Sequence, residues 1–157
     1  MAITLFLYLL SLVCWLGGMI FFALFVAPVI FTRLPVADAG KVVAGIFPRY
    51  YLLGYVAGVI AVVLAIYFAV TAGWARGWWS AAALLLAIAL GLTFYAGIVI
   101  RPQVDQIRTV AEETNPDPAR KERFDKLHRA SVQLNGAVMV LNLLALISTA
   151  AALGRHG

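Results

Sequence analysis

The sequence predicts an all-α integral membrane protein. It reads as a single four-transmembrane-helix bundle with a short interfacial helix and a projecting cytoplasmic helical hairpin. Three observations carry that prediction. The 157 residues are 64% hydrophobic and only 12% charged, whereas a soluble domain is roughly half apolar and about a quarter charged. The apolar excess is gathered into four blocks, residues 3–31, 50–72, 78–100 and 130–153, none of which holds a charged side chain. Each block reaches the ~20 residues a helix needs to cross a bilayer core. Because lipid offers the backbone no hydrogen bonds, such blocks form helices and not isolated strands.

Orientation follows from the third observation. Ten of the twelve Lys and Arg residues lie in the first and third connections (Arg33, Lys41, Arg49; Arg101, Arg108, Arg120, Lys121, Arg123, Lys126, Arg129), leaving Arg76 and Arg155 for the other side. The positive-inside rule then puts the basic connections in the cytoplasm and both termini outside, as in a multi-pass protein of a bacterial-type inner membrane. Trp74, Trp78 and Trp79 flank the outer connection, where an aromatic belt belongs.

The first helix, about 3–31, has no basic leader and is too long for a signal-peptide core. Pro28 favours a kink or stop near its end. In the connection "RLPVADAGKVVAGIFPRYY", Val36, Ala39, Val43 and Phe47 recur at helical spacing, which reads as a short interfacial helix. Pro48 suits the first position of the second helix, about 48–72, with Arg49 and Tyr50 at headgroup depth. Gly54 and Gly58 in that helix have the GxxxG spacing that permits close backbone approach. The third helix, about 78–113, should bend at Pro102. "NPDP" breaks the chain, with Asp117 as N-cap of the fourth helix, about 118–153. In the projecting hairpin, Val104, Ile107 and Val110 can pack on Phe124 and Leu127, and Glu112 and Glu113 face Arg120, Lys121 and Arg123.

The fourth helix carries an unusual stripe. At about 100° per residue, His128, Ser131, Asn135, Asn142 and Thr149 fall within roughly 60° of arc. Such a stripe faces the bundle interior, since lipid would not satisfy it. Thr4, Ser11, Cys14, Trp15 and Gly18 share a face of the first helix, and Tyr55, Thr93 and Tyr95 add hydroxyls in the cytoplasmic half. Two readings stay open. In one, the stripe joins helices by hydrogen bonds, as expected of Asn142 beside Cys14 and Trp15. In the other, His128, Ser131, Asn135, Asn142, Tyr55, Tyr95 and Trp15 line a pocket or pathway whose cytoplasmic mouth carries Arg49 and Arg101.

The single cysteine, Cys14, excludes an internal disulfide and a Cys-rich metal site. His128 is the one candidate for a haem or copper ligand. It lies ~15–18 Å from Cys14 along the membrane normal, so the two cannot share an ion, and no cofactor is predicted. The basic residues interleave with acidic ones, so nucleic acid is not expected as a partner. The expected partners are the lipid bilayer, with anionic lipid at the cytoplasmic face, and a second copy of the chain.

"WLGGMIFFALFVAPVIF", "GIFPRYY" and "FDKLHRASVQLN" resemble the four-helix membrane proteins related to transmembrane protein 205, a domain of unknown function numbered 4149. A more distant similarity runs to the membrane part of copper resistance protein D and to the haem-pathway oxidase HemJ. The near resemblance implies a four-helix bundle with no established activity. The remote one implies copper or haem, although this chain lacks the histidine and methionine clusters of those proteins. The expected function is passage or binding of a small solute or metal species through a polar interior. The alternatives are a haem- or metal-dependent redox enzyme centred on His128, or an assembly protein acting through the basic hairpin.

Overall fold

The computed structural model describes residues 1–111 and 118–154, and only the backbone of 108–111. Among these residues every element is helical: α1 (Ala2–Phe21), a π-helical turn (Phe22–Val26), α2 (Ala27–Arg33), α3 (Val36–Thr71), a 3₁₀ turn (Gly73–Ala75), α4 (Arg76–Tyr95), a second π turn (Ala96–Ile100), α5 (Arg101–Ala111) and α6 (Pro118–Gly154). Four continuous spans result, Ala2–Arg33, Val36–Thr71, Gly73–Ile107 and Pro118–Gly154, each long and apolar enough to cross a membrane. The protein is a multi-pass membrane bundle. α1 packs on α3 and α6, and α4 packs on α3 and α6, closing a ring of four.

Prolines shape the first and third spans in the same way. Pro28 and Pro102 each follow a π turn by two residues. The residue before each proline bonds five residues back, Ala27 N–H to the Phe22 carbonyl and Arg101 N–H to that of Ala96. A proline cannot donate, and its ring crowds the carbonyl four residues earlier. Widening the preceding turn accommodates both effects while the helix goes on.

The second span differs from its expected form. No separate interfacial helix precedes Pro48; one helix runs from Val36 to Thr71 with Pro48 inside it. Leu34 is extended before Pro35, as pre-proline residues tend to be, and α3 starts immediately after that proline. The stripe meant for the membrane surface is instead partly absorbed by protein: Ala39 and Val43 are buried, and α2 packs on α3. Pro48 removes a single backbone bond, which that packing outweighs. At its other end α3 closes on Gly73, whose φ of +51° is the left-handed conformation a helix C-terminus often needs.

α3 has 36 residues and α6 has 37, about 55 Å each, so both extend well beyond a ~30 Å core. They project from the end holding most of the Arg and Lys, called here the basic end; the other is the tryptophan end. α5 packs on α6 there, with Val104, Ile107, Phe124 and Leu127 half-buried. Asp117, Glu112, Glu113 and the side chains of Arg108 and Val110 lie outside the described residues, as does Arg155.

The core is a seam of small residues. Ala57, Ala61 and Ala65 on α3, Ala82 and Ala89 on α4 and Ala145 and Ala152 on α6 are all at most 5% exposed. Into this seam the Trp15 ring drops beside Gly54 and Gly58. A Cβ on Gly58 would sit 3.0 Å from that ring and 2.8 Å from Leu90 Cδ1. Gly58→Ala should therefore cost about 1–3 kcal/mol of stability through overpacking. Gly17→Ala, where a Cβ meets nothing, should be neutral. Melting in detergent checks both, and Trp15→Phe should restore part of the Gly58→Ala loss, since the two residues are in contact.

Candidate functional site

The polar stripe of α6 faces inward only in part, and its members behave differently along the bundle. At the tryptophan end Thr149 is buried, and its hydroxyl lies 2.7 Å from the hydroxyl of Tyr8 on α1. Thr149 also donates to its own helix, to Ala145 O at 2.9 Å, so Tyr8 is the donor between them. Ser148 donates to the Trp78 carbonyl at 2.8 Å. Tyr8 stands edge-on to Phe68 and Trp79, which stack on each other with centroids 4.5 Å apart. Around Tyr8 and Thr149 the bundle interior is packed, while an outer groove between α3 and α4 is lined by Ile66, Val70, Arg76 and Ser80.

About two turns toward the middle, Asn142 is fully buried. Its amide donates to Val138 O of its own helix at 3.0 Å, while its side-chain carbonyl has no partner. The interhelical bond expected of Asn142 is absent. A side chain four residues beyond a backbone carbonyl reaches that carbonyl more easily than a neighbouring helix does.

Asn135 makes the cross-helix bond instead. Its Nδ2 donates to Ser131 O at 2.9 Å, and its Oδ1 accepts from the Tyr50 hydroxyl on α3 at 3.0 Å. Beside this pair lies a cavity of about 10 Å³ lined by Trp15, Gly18, Met19, Tyr50, Leu53, Gly54, Thr93 and Asn135. That is the room one water needs, and Tyr50, Asn135 and Thr93 carry the polar atoms to hold it. Thr93 already donates to Ala89 O, which leaves its oxygen as an acceptor.

The structure brings Trp15 and Asn135 to the cavity and leaves the other sequence-predicted residues off its wall. Ser131 contributes its backbone carbonyl to Asn135. Tyr55 stacks on Phe94 at 4.5 Å. Tyr95 is 49% exposed, on the outside of the bundle. His128 is exposed on the projecting part of α6, with its ring parallel to Phe124 at 6.0 Å. Arg49 is exposed, and Arg101 is partly buried, 3.5 Å from Asp105. Among the described residues no three His, Cys, Asp or Glu side chains converge as a metal site would require.

Tyr50, Met19 and Leu53 are wall residues that the sequence does not assign to the site. The sequence places Tyr50 just after Pro48, at headgroup depth, and gives it no partner. A signal was present nonetheless: Tyr50, Gly54, Ala57 and Ala61 recur at spacings of three and four, the small-residue face of α3.

Two substitutions separate the roles of the stripe. Thr149→Val leaves the Tyr8 hydroxyl buried without a partner and should cost about 1–3 kcal/mol. Asn142→Leu removes an unpaired buried carbonyl together with a bond to its own helix, and should be neutral or stabilising. Detergent melting curves decide both. A large loss in Asn142→Leu would mean that its carbonyl has a partner.

No curated protein and no solved structure matches this chain. Residues 10–113, which carry Trp15, Tyr50 and Thr93 but not Asn135, match a family described as a domain of unknown function, DUF4149. That match spans more than half the chain, and the protein therefore belongs to the DUF4149 family.

Proposed function

We propose that the protein is a non-enzymatic membrane protein that binds a small hydrogen-bonding solute between α1, α3, α4 and α6, with access from the basic end. The observation that carries this reading is the cavity beside the Tyr50–Asn135 bond. Polar wall atoms at membrane depth need a partner, and a ligand or water is the one that can exchange. The Tyr50–Asn135 bond acts as a latch: opening it exposes a donor and an acceptor at once and widens the cavity between α3 and α6.

Binding suits this site better than free passage. Toward the tryptophan end the Tyr8–Thr149 layer is buried on all sides, and passage would require α1 and α6 to separate there. The resemblance to transmembrane protein 205 adds no residue to the site. A haem or copper enzyme centred on His128 would need a second ligand at the depth of that exposed ring. An assembly role through the basic hairpin draws on the exposed Lys121, Arg123, Lys126 and Arg129, and Lys126 is already engaged by Glu122 at 2.7 Å.

Site and orientation are tested together by cysteine chemistry in proteoliposomes. A small polar thiol reagent should label Thr93→Cys from the basic side, faster in a Tyr50→Phe background, and glycerol, urea or acetamide should slow the labelling. No labelling in either background would remove the reading. We take the basic end to be cytoplasmic. A cysteine in 73–77 should then react with an impermeant external reagent, whereas one in 115–117 should not. The reverse pattern would invert the topology.

A further inference from the structure

Tyr51, the neighbour of the latch tyrosine, faces a different helix and poses a separate problem. It is only 3% exposed, and its hydroxyl has no hydrogen-bond partner. At the same end of the bundle the Arg101 Nε is also buried, and it makes no hydrogen bond. Tyr51 is thus a donor without an acceptor, and Arg101 Nε has only the ion pair with Asp105 at 3.5 Å; burial of donors without hydrogen bonds is costly.

The helix register sets the two side by side. α3 and α4 are antiparallel neighbours, and the bare face of Gly97 receives the inner edge of the Tyr51 ring and the hydroxyl of Tyr55. Tyr51 and Tyr55 are one turn apart and stacked, with centroids 6.1 Å apart. Helical side chains lean toward the N-terminus, which for α3 is the basic end. The Tyr51 hydroxyl therefore lies one turn closer to that end than the Tyr55 hydroxyl. Arg101 lies one turn beyond Gly97 in the same direction. As Tyr55 meets Gly97, so Tyr51 meets the level of Arg101. The π turn Ala96–Ile100 includes Gly97 and ends just before Arg101, a local widening of the kind often found at functional sites.

We propose that Tyr51 and Arg101 form a site for a phosphate oxyanion at the basic end. The guanidinium supplies charge and several N–H donors, the phenol one more, and phosphate oxygens accept all of them. Arg101 follows the last residue of an uncharged run, Ile100, which is the depth of the phosphate layer of a bilayer. Asp105, 3.5 Å from Nε, partly balances the guanidinium in the absence of a ligand. It is 34% exposed and can turn to solvent when an anion arrives. The phosphate comes either from a phospholipid headgroup or from free phosphate. The site is separate from the solute cavity and stands whether or not that reading holds.

The test uses the full chain, delipidated in detergent, with three probes: phosphatidylglycerol, diacylglycerol and inorganic phosphate. Native mass spectrometry reads lipid retention, and melting reads protection. Phosphatidylglycerol should be retained and should raise the melting temperature, whereas diacylglycerol, which lacks phosphate, should not. Tyr51→Phe keeps the ring on Gly97 and removes only the hydroxyl. It should weaken phosphatidylglycerol binding about tenfold without lowering the melting temperature of the lipid-free protein. Arg101→Gln should weaken binding at least as much, and Arg49→Gln, an exposed arginine of the same end, should leave it unchanged. Protection by inorganic phosphate alone, lost in Tyr51→Phe, supports the site and makes free phosphate its source. Equal protection by diacylglycerol, or phosphatidylglycerol binding in Tyr51→Phe and Arg101→Gln within about twofold of the unaltered chain, overturns the proposal.

Discussion

The seating of Trp15 in the face of α3 governs how the bundle closes. In lipid there is no hydrophobic force between helices, so close packing has to hold them together. Close packing requires small residues, and α3 supplies Gly54, Ala57, Gly58, Ala61 and Ala65 at spacings of three and four. A whole indole then fits where the two glycines leave the backbone bare, with Leu90 and Thr93 of α4 completing the recess. α1, α3 and α4 are thus brought to one contact. Below it, Tyr8 can reach Thr149 on α6, and above it the indole forms one wall of the cavity.

This packing also explains why the polar residues of the core do so little joining. Thr93, Asn135, Asn142 and Thr149 each donate to a carbonyl four residues earlier on the same helix. A membrane helix can absorb its own Thr and Asn side chains in this way, so a polar stripe does not by itself imply an interhelical contact. The atoms left over are informative. Thr149 keeps an acceptor that Tyr8 uses, Asn135 one that Tyr50 uses, and Asn142 one that nothing uses. Polar adhesion is therefore concentrated in two layers, one near each end, while the middle relies on alanine and glycine.

Much of this was legible in the sequence because it is a matter of period and length. The charge-free blocks set the four spans, and the GxxxG spacing and the inward position of Trp15 came from residue type and angle alone. What was not legible depends on three-dimensional register. The break at Pro48 was inferred from local propensity, but the helix continues because Ala39 and Val43 find protein beside them. Nothing local to Tyr50 points to its bond with Asn135, 85 residues away in the chain. His128 shares the angular stripe of Asn135, yet it is exposed, because α6 has run past the close-packed layers by that point. Angle predicts a shared face; depth decides what the face meets.

The two ends of the bundle differ in a way that constrains any mechanism. At the tryptophan end, buried Tyr8, Phe68, Trp79 and Thr149 fill the space between helices, and a tight turn at Gly73 joins α3 to α4. At the basic end both odd spans carry a π turn ahead of a proline, and each turn adds backbone width there. The cavity residue Met19 lies one turn before the first π turn, and Gly97 lies within the second. Such turns rearrange at lower cost than a regular helix, since a proline already interrupts the bonding pattern beside them. Motion that opens the Tyr50–Asn135 latch can therefore hinge at the π turns and leave the Trp15 recess intact. Opening the tryptophan end would break the Tyr8–Thr149 bond and the aromatic stack together. Under the proposed reading a ligand enters from the basic side, because less packing has to break there.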